Sequence, residues 1–224
     1  MVLLSYARFD QPLEQKQFED YLSQLPLSIQ PQVMQYRRWQ DAQSVLLGKL
    51  LLQEGARRHF QRDNILADIQ YTSWKRPFVE GGLDFNISHA GELVVCVMSD
   101  TTRVGIDIEK IVPLELSAYR QQMTSTEWAD ISGADDPICA FYHYWTRKEA
   151  AIKADGRGMG IPLQEVRLCG DSAWIEGQEW HLQPLPVAAG YACCLATEKG
   201  VKKIHEFSLP PHPPTPPPYP TLML

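Results

Sequence analysis

The sequence predicts an α+β fold. Two long segments, residues 41–60 and 137–152, carry apolar residues at helical spacing. Between and after them lie short segments in which apolar and polar residues alternate or in which β-branched residues follow one another. Turns that contain glycine and aspartate separate these segments. Helical and strand segments follow one another irregularly, and the short turns favour antiparallel neighbours over crossover connections. This order is typical of α+β proteins.

In the first part of the chain, residues 2–6 read as a short strand. Residues 41–60 form an amphipathic helix in which Val45, Leu46 and Leu50 share the apolar face, with Asp41 as a candidate N-cap. Three strands are then predicted over residues 83–88, 93–98 and 103–109. Short turns at 91–92 and 100–102 separate these strands, so we expect consecutive strands to be antiparallel neighbours.

The second part of the chain begins with two helix signals. Thr124 and Glu127 have the spacing of a capping box, so a helix begins there. A second helix begins near Asp136-Pro137, where proline suits the first turn, and ends before Gly156. Further strands are predicted over residues 166–168, 173–175 and 191–195.

Composition limits the function classes. Of 224 residues, 44% are hydrophobic and the net charge is −6, which is typical of a globular protein and argues against a broad nucleic-acid-binding surface. The sequence has no apolar run of membrane-spanning length and no recognisable signal peptide, so we expect a cytoplasmic protein without a membrane partner. The five cysteines lack metal-ligand spacing. Most are expected to be buried and reduced, and Cys193 and Cys194 should point to opposite faces of a strand.

Residues 209–224 form a proline-rich tail, with eight of the 17 prolines between positions 210 and 220. Proline cannot donate to a ladder or continue a helix, so this tail is expected to be extended and disordered. A ligand for a polyproline-reading domain is the alternative.

Gly105 to Glu109 is the first segment that indicates chemistry. On a strand, Ile106 and Ile108 face the core while Asp107 and Glu109 share the other face, close enough to hold one hard cation such as Mg²⁺. The alternative is a half-exposed strand with two solvated acids.

A second segment runs from Trp145 to Lys153. On a helix Trp145, Glu149 and Lys153 are four residues apart and form one stripe of an aromatic ring, a carboxylate and a cation. Glu149 could complete a metal site and Lys153 could neutralise a phosphate oxygen. The alternative is a surface ion pair beside a core tryptophan.

Two weaker segments carry phosphate-binding groups. Ser88 and His89 stand at the end of a predicted strand, before a glycine turn, although a histidine there is more often structural. Arg76, fixed by Pro77, offers a planar fork for a phosphate.

These segments together resemble the Sfp-type 4′-phosphopantetheinyl transferases, which carry F-N-x-S-H, G-I-D-I-E and W-x-x-K-E-A-x-x-K in this order. Here the three motifs are residues 85–89, 105–109 and 145–153, with every listed position filled. The resemblance extends over the chain apart from the proline-rich tail. It implies a Mg²⁺-dependent enzyme that moves the phosphopantetheine arm of coenzyme A onto a serine of an apo acyl- or peptidyl-carrier protein and releases 3′,5′-ADP.

The resemblance also implies a role for each motif residue. Asp107, Glu109 and Glu149 hold Mg²⁺ on the coenzyme A pyrophosphate, and Glu149, or a water that it orients, deprotonates the carrier serine. Lys153 steadies the pyrophosphate oxygens as charge shifts to the leaving group. Asp107, Glu149 and Lys153 are thus the expected catalytic residues.

Other positions are expected to hold the nucleotide. The resemblance assigns the phosphates to Ser88, His89 and Arg76, with Lys148 adding charge nearby. Glu127 supports the metal site or only caps its helix; the sequence leaves both open.

Two departures from the family pattern affect nucleotide binding. Lysines that relatives often carry before the first long helix are absent from residues 28–35, which leaves Arg37 and Arg38 as the nearest substitutes. The common G-K-P triplet is Lys75-Arg76-Pro77, which keeps the cation and loses the glycine.

The family architecture implies two similar halves, residues 1–110 and 111–208, in pseudo-twofold contact. The active site would lie between the halves of a monomer. Two rival functions keep parts of the site: a Mg²⁺-dependent nucleotide pyrophosphate hydrolase, and a non-catalytic module that binds coenzyme A or a carrier protein. The sequence does not identify the carrier, which belongs to fatty-acid, polyketide or non-ribosomal peptide synthesis or to another pathway.

Overall fold

The computed structural model describes residues 1–209, and the predicted proline-rich tail lies outside them except for Leu209. The predicted α+β fold is confirmed. The helices are α1 (Gln15–Ser23), α2 (Gln30–Met34), α3 (Trp39–Phe60), α4 (Ser125–Gly133) and α5 (Pro137–Asp155). The strands are β1 (Val2–Arg8), β2 (Gln70–Tyr71), β3 (Pro77–Phe78), β4 (Asp84–Ala90), β5 (Leu93–Ser99), β6 (Val104–Lys110), β7 (Arg167–Cys169), β8 (Ser172–Ile175), β9 (Gln178–Pro184), β10 (Tyr191–Thr197) and β11 (Ile204–Ser208).

The first sheet has the strand order β11-β1-β5-β4. β1 runs parallel to β11 and antiparallel to β5, and β5 pairs antiparallel with β4. All seven residues of β5 are buried because both faces of this sheet are covered. Val94, Cys96 and Met98 pack under α3, and their neighbours Val95 and Val97 pack against the second sheet.

The second sheet has the order β6-β10-β9-β8-β7, all antiparallel. Its inner face contributes Ile106, Ile108 and Leu195 to the core between the two sheets. α5 packs on its other face, above Cys194 and Ala196. Strand alternation therefore places Asp107 on the helix side of β6, as the sequence predicts.

The elements that were predicted in the second part of the chain are all present. Thr124 and Glu127 form the predicted capping box. Asp136 caps α5 by accepting a hydrogen bond from the Cys139 amide, and Gly156 ends it with φ of 92°. Cys193 and Cys194 are buried on opposite faces of β10, and both are free thiols.

Two predictions require correction, and several elements were not predicted. α3 begins at Trp39 with Arg38 as the capping residue, so Asp41 lies inside the first turn. β5 and β6 are not hairpin neighbours, because after the turn at 100–102 the chain crosses to the second sheet and β6 pairs with β10. The sequence prediction also omitted two short helices, α1 and α2, and four strands, β2, β3, β9 and β11.

Among residues 1–209, no helix is both long enough and apolar enough to cross a membrane.

Candidate active site

An open cleft of about 320 Å³ lies where β4, β6 and α5 meet. It brings together the three sequence motifs, which are far apart along the chain. Six of the predicted site side chains and Trp145 are among its walls. The lining residues are Ile87, Ser88, His89, Asp107, Ile108, Glu109, Trp145, Glu149 and Lys153.

Gly105 explains how α5 comes so close to β6. A Cβ atom at this position would collide with the backbone of α5 at Ala150 and Ala154. Without a side chain the helix lies directly on the strand, and its Glu149–Lys153 stripe faces Asp107. The glycine of the G-I-D-I-E motif thus fixes the depth of the cleft.

Asp107 and Lys153 form the centre of the site. Lys153 Nζ lies 2.5 Å from Asp107 Oδ1 and 3.0 Å from Ser88 Oγ, and the Ser88 hydroxyl donates to Asp107 Oδ1 at 3.1 Å. Asp107 and Ser88 are buried, whereas Lys153 is partly exposed to the cleft. The ammonium is therefore fixed in direction while one side remains open to a ligand.

Burial raises the pKa of all three cleft carboxylates, and repulsion by a neighbouring carboxylate adds to the shift at Glu109 and Glu149. Burial raises the pKa of Asp107 although Lys153 and Ser88 oppose the shift. Burial and the Asp107 charge raise the pKa of Glu149. The pKa of Glu109 rises to about 7 through burial, with further contributions from Asp107 and Glu149. The negative charges of these carboxylates therefore repel one another, and a cation bound among them would reduce that repulsion.

Trp145 joins this cluster as well as forming a wall. The nearby Trp145 indole lowers the pKa of the Glu109 carboxyl and so partly offsets the effect of burial on that pKa. The ring is held from behind by Phe141 and Tyr119, whose centroids lie 5.6 Å away. Trp145 is therefore a well-supported wall of the cleft beside Glu109.

His89 is exposed at the edge of the cleft beyond Ser88. Burial of part of the ring and the Lys153 charge lower its pKa, and Asp41 opposes this. Asp41 lies at the start of α3, 3.9 Å from Arg38. The predicted nucleotide residue Arg38 is largely exposed and does not line the cleft.

Glu127 and Lys148 lie outside the cleft. Lys148 is fully buried, and its Nζ contacts Glu127 Oε2 at 2.6 Å and the Leu163 carbonyl oxygen at 3.1 Å. Glu127 also accepts a hydrogen bond from the Thr124 amide in the capping box. The structure therefore gives Glu127 its capping role and does not place Lys148 where the sequence predicted, because both charges are used in a buried ion pair.

Arg76 is also placed elsewhere than the sequence predicted. Its guanidinium is buried and binds both carboxylate oxygens of Asp84, at 2.7 and 2.8 Å. It donates further hydrogen bonds to the carbonyl oxygens of Lys153 and Val104. With its donors so engaged, Arg76 joins α5 to the two sheets and does not face the cleft.

The donor set of the cleft suits a hard cation. Asp107 Oδ2 is buried and has no hydrogen-bond partner in the described part of the chain. Carboxylate oxygens are the ligands that Mg²⁺ prefers. Within residues 1–209, however, no three acidic, histidine or cysteine side chains are close enough together to form a ready metal site. Asp107, Glu109 and Glu149 are the cleft carboxylates that would hold the ion.

Sequence reasoning missed Asn86 and Asp84, which hold β6 in place from the neighbouring sheet. A signal was present: the polar residues Asp84, Asn86 and Ser88 alternate with apolar ones, although both faces of this sheet are covered. Polar side chains on a covered face require partners there.

Comparison with known proteins agrees with this site. Residues 103–196 match the 4′-phosphopantetheinyl transferase superfamily, and residues 11–101 match the N-terminal region of 4′-phosphopantetheinyl transferases. The 4′-phosphopantetheinyl transferase Sfp of Bacillus subtilis is 33% identical over 170 residues, 72% of this chain and 75% of that protein. The gsp transferase of Aneurinibacillus migulanus is 30% identical over 180 residues, 79% of this chain and 72% of that protein.

A vertebrate relative also matches. The L-aminoadipate-semialdehyde dehydrogenase-phosphopantetheinyl transferase of Xenopus laevis is 31% identical over 145 residues, 56% of this chain and 47% of that protein. The superfamily match defines the class of protein as a transferase of the 4′-phosphopantetheinyl group. The relatives identify the family within this class: the chain belongs to the Sfp-type 4′-phosphopantetheinyl transferases, as its motifs predict.

Proposed function

We propose that the enzyme transfers the 4′-phosphopantetheine group of coenzyme A to a serine of an apo acyl- or peptidyl-carrier protein, and that the reaction requires Mg²⁺. One observation supports this above the others. The cleft gathers Asp107, Glu109, Glu149 and Lys153 from a strand and a helix that Gly105 allows to touch. Phosphoryl transfer needs positioning and charge neutralisation more than an unusual nucleophile, and these residues supply both.

The three carboxylates would hold Mg²⁺ against the pyrophosphate of coenzyme A. When bound, the ion neutralises charge on the pyrophosphate oxygens. The partnerless Asp107 Oδ2 and the raised pKa values of the three acids support this assignment. Lys153 would release part of its contact with Asp107 and turn its ammonium to a phosphate oxygen.

The reaction forms one bond and breaks one. The serine oxygen bonds to the β-phosphorus, the phosphorus that carries the pantetheine arm, and the bridging oxygen leaves with the α-phosphate as 3′,5′-ADP. The serine proton passes to Glu149 or to a water that Glu149 orients. The raised pKa of Glu149 makes it a better proton acceptor than an ordinary glutamate. Lys153 stabilises the charge that develops on the departing oxygens.

His89 and Arg38 are the proposed contacts for the nucleotide end of coenzyme A. His89 is exposed at the cleft edge, and Arg38 stands beside Asp41 on the same side. Ser88 is proposed to orient Lys153 toward the phosphates, because its hydroxyl contacts that ammonium at 3.0 Å.

We also propose that the chain consists of two pseudo-twofold halves, residues 1–110 and 111–208, within a monomer. In support, each half supplies one long helix, α3 or α5, and most strands of one sheet. The halves exchange one strand each, because β6 joins the second sheet and β11 joins the first. The cleft lies where the two sheets meet. The carrier remains open among fatty-acid, polyketide and non-ribosomal peptide systems.

One reaction separates this function from its rivals. The protein is incubated with coenzyme A, Mg²⁺ and an apo carrier protein, and both 3′,5′-ADP and carrier mass are measured. The proposal predicts one 3′,5′-ADP for each phosphopantetheine gained, and no gain by a carrier Ser→Ala variant. Release of 3′,5′-ADP without carrier modification would indicate a hydrolase. Binding of coenzyme A without either product would indicate a binding module.

A further inference from the structure

Two edge strands from different sheets meet beside the cleft. β4 is the last strand of the first sheet and β6 the first strand of the second. β6 pairs with β10 on one side only, so its other edge presents backbone N–H groups that need partners.

Side chains of β4 supply those partners. Alternate residues of β4 point to the edge of β6 and accept hydrogen bonds from alternate amides of that strand. The bonds run from Val104 N to Asp84 Oδ2 at 2.8 Å, from Ile106 N to Asn86 Oδ1 at 3.0 Å and from Ile108 N to Ser88 Oγ at 3.4 Å. We call these three contacts the side-chain ladder.

The side-chain ladder is anchored at both ends. At one end Arg76 binds Asp84 and the Val104 carbonyl oxygen, which fixes the first contact. At the other end Ser88 contacts Asp107 and Lys153. Asn86 is the middle contact and, unlike Ser88, does not line the cleft. The amide that it holds belongs to Ile106, the residue before Asp107.

We propose that Asn86 is a positioning residue for the metal-binding strand: its carboxamide oxygen fixes the edge of β6 so that Asp107 and Glu109 face Glu149 across the cleft. The inference deepens the proposed function and rests on it for the role of the carboxylates. Outer partners that orient metal ligands commonly change metal affinity or activity about 10- to 100-fold when removed.

The test compares Asn86→Ala, which removes the acceptor, with Asn86→Asp, which keeps an acceptor oxygen in the same place. Asn86→Ala should accelerate hydrogen exchange at the Ile106 amide and weaken Mn²⁺ binding about 10-fold, measured with Mn²⁺ alone by paramagnetic resonance. It should lower kcat by a similar factor and change the KM for coenzyme A less than about twofold. Asn86→Asp should recover most of each loss.

Thr102→Val is the matched control. Thr102 Oγ1 accepts a hydrogen bond from the Lys199 amide at 3.0 Å, before the start of β6 and outside the cleft lining. Its loss tests whether any missing side-chain-to-backbone bond has the same effect. Thr102→Val should lower stability without changing Mn²⁺ affinity or kcat.

Several results would overturn the inference. Unchanged exchange at Ile106 in Asn86→Ala would mean that the side-chain ladder does not hold β6. Faster exchange with unchanged Mn²⁺ affinity and kcat would remove the positioning role. A wild-type protein that binds no Mn²⁺ would refute the positioning role together with the metal site, whereas Mn²⁺ binding without carrier modification would refute the transferase function alone. If Asn86→Ala does not fold, Asn86→Ser replaces it, and equal Mn²⁺ affinity to wild type would count against the inference.

Discussion

Lys153 Nζ and Asp107 Oδ1 are 2.5 Å apart, which joins the last turn of α5 to the middle of β6. The pair has two duties. It offsets the burial of Asp107, and it holds an ammonium at the open face of the cleft. Structure and chemistry at this point depend on the same contact.

Replacing Lys153 separates these duties. Lys153→Gln should reduce the transfer rate about 100-fold or more, because a neutral amide cannot stabilise the charge on the leaving oxygens. It should lower the free energy of unfolding by about 1–3 kcal/mol, since Asp107 loses its charged partner. Kinetics and chemical denaturation measure the two effects. Lys153→Arg, which keeps the charge, should recover much of the stability; full activity in Lys153→Gln would exclude the proposed role.

The raised pKa of Glu109 predicts a pH dependence of metal binding. Its pKa is about 7 in the folded protein against an ordinary value of 4.5, so folding favours the protonated acid. The free energy of unfolding of the metal-free protein should therefore fall as the pH rises from about 4.5 to about 7. Mg²⁺ requires the ionised carboxylates, so the stabilisation that it gives should grow over the same window.

Thermal unfolding with and without Mg²⁺ at several pH values measures this effect. Glu109→Gln is the control, because it removes the titrating group and should flatten the pH dependence. A Mg²⁺ stabilisation that is equally large at pH 5 and pH 8 would contradict the prediction.

Lys148 gives a test between the sequence-based and structural assignments. Lys148→Met should destabilise the protein by about 3–5 kcal/mol, because Glu127 would stay buried without its ion-pair partner. The KM for coenzyme A should change less than about twofold, since Lys148 does not line the cleft. Chemical denaturation and steady-state kinetics measure the two effects. Unchanged stability together with a tenfold higher KM would indicate that Lys148 contacts the substrate.

Arg76 can be tested by a substitution that keeps its charge. Arg76→Lys retains a cation but loses the fork that binds both oxygens of Asp84. We expect a loss of about 2–4 kcal/mol in the free energy of unfolding and little change in the KM for coenzyme A. A stable Arg76→Lys protein with a much higher KM would show that the guanidinium binds phosphate.

Much of the fold could be predicted because the spacing of apolar residues along the chain indicates which side of a helix or strand is buried. The helices at 39–60 and 137–155 and the strands beside the cleft carry clear apolar patterns, and Asp136 and Gly156 cap the second of these helices. α1 and α2 were missed because they are short, with nine and five residues, so each offers too few apolar positions to establish a helical period. The apolar face of α1 is nevertheless real, since Phe18, Tyr21 and Leu22 pack against the core. The sheet assignment of β6 could not be predicted, since a turn of the right length does not reveal that the chain crosses to another sheet.

The site was predictable where motif residues alternate on one element. Asp107 and Glu109 on β6, and Trp145, Glu149 and Lys153 on α5, lie together as their spacing indicates. The positions of basic side chains were harder to predict, because a positive charge alone does not show whether the side chain binds a ligand or forms an ion pair inside the protein. Arg76 and Lys148 have carboxylate partners, Asp84 and Glu127, that no local spacing reveals.

The central claim is most directly tested by intact-protein mass spectrometry of an apo carrier protein treated with coenzyme A and either the wild-type enzyme or Asp107→Asn. The wild type should add one phosphopantetheine in Mg²⁺ and none in EDTA. Asp107→Asn should fold normally but act at about one hundredth of the wild-type rate or less, because it removes a proposed metal ligand. Carrier modification by the wild type in EDTA, or an equal rate with Asp107→Asn, would contradict the account.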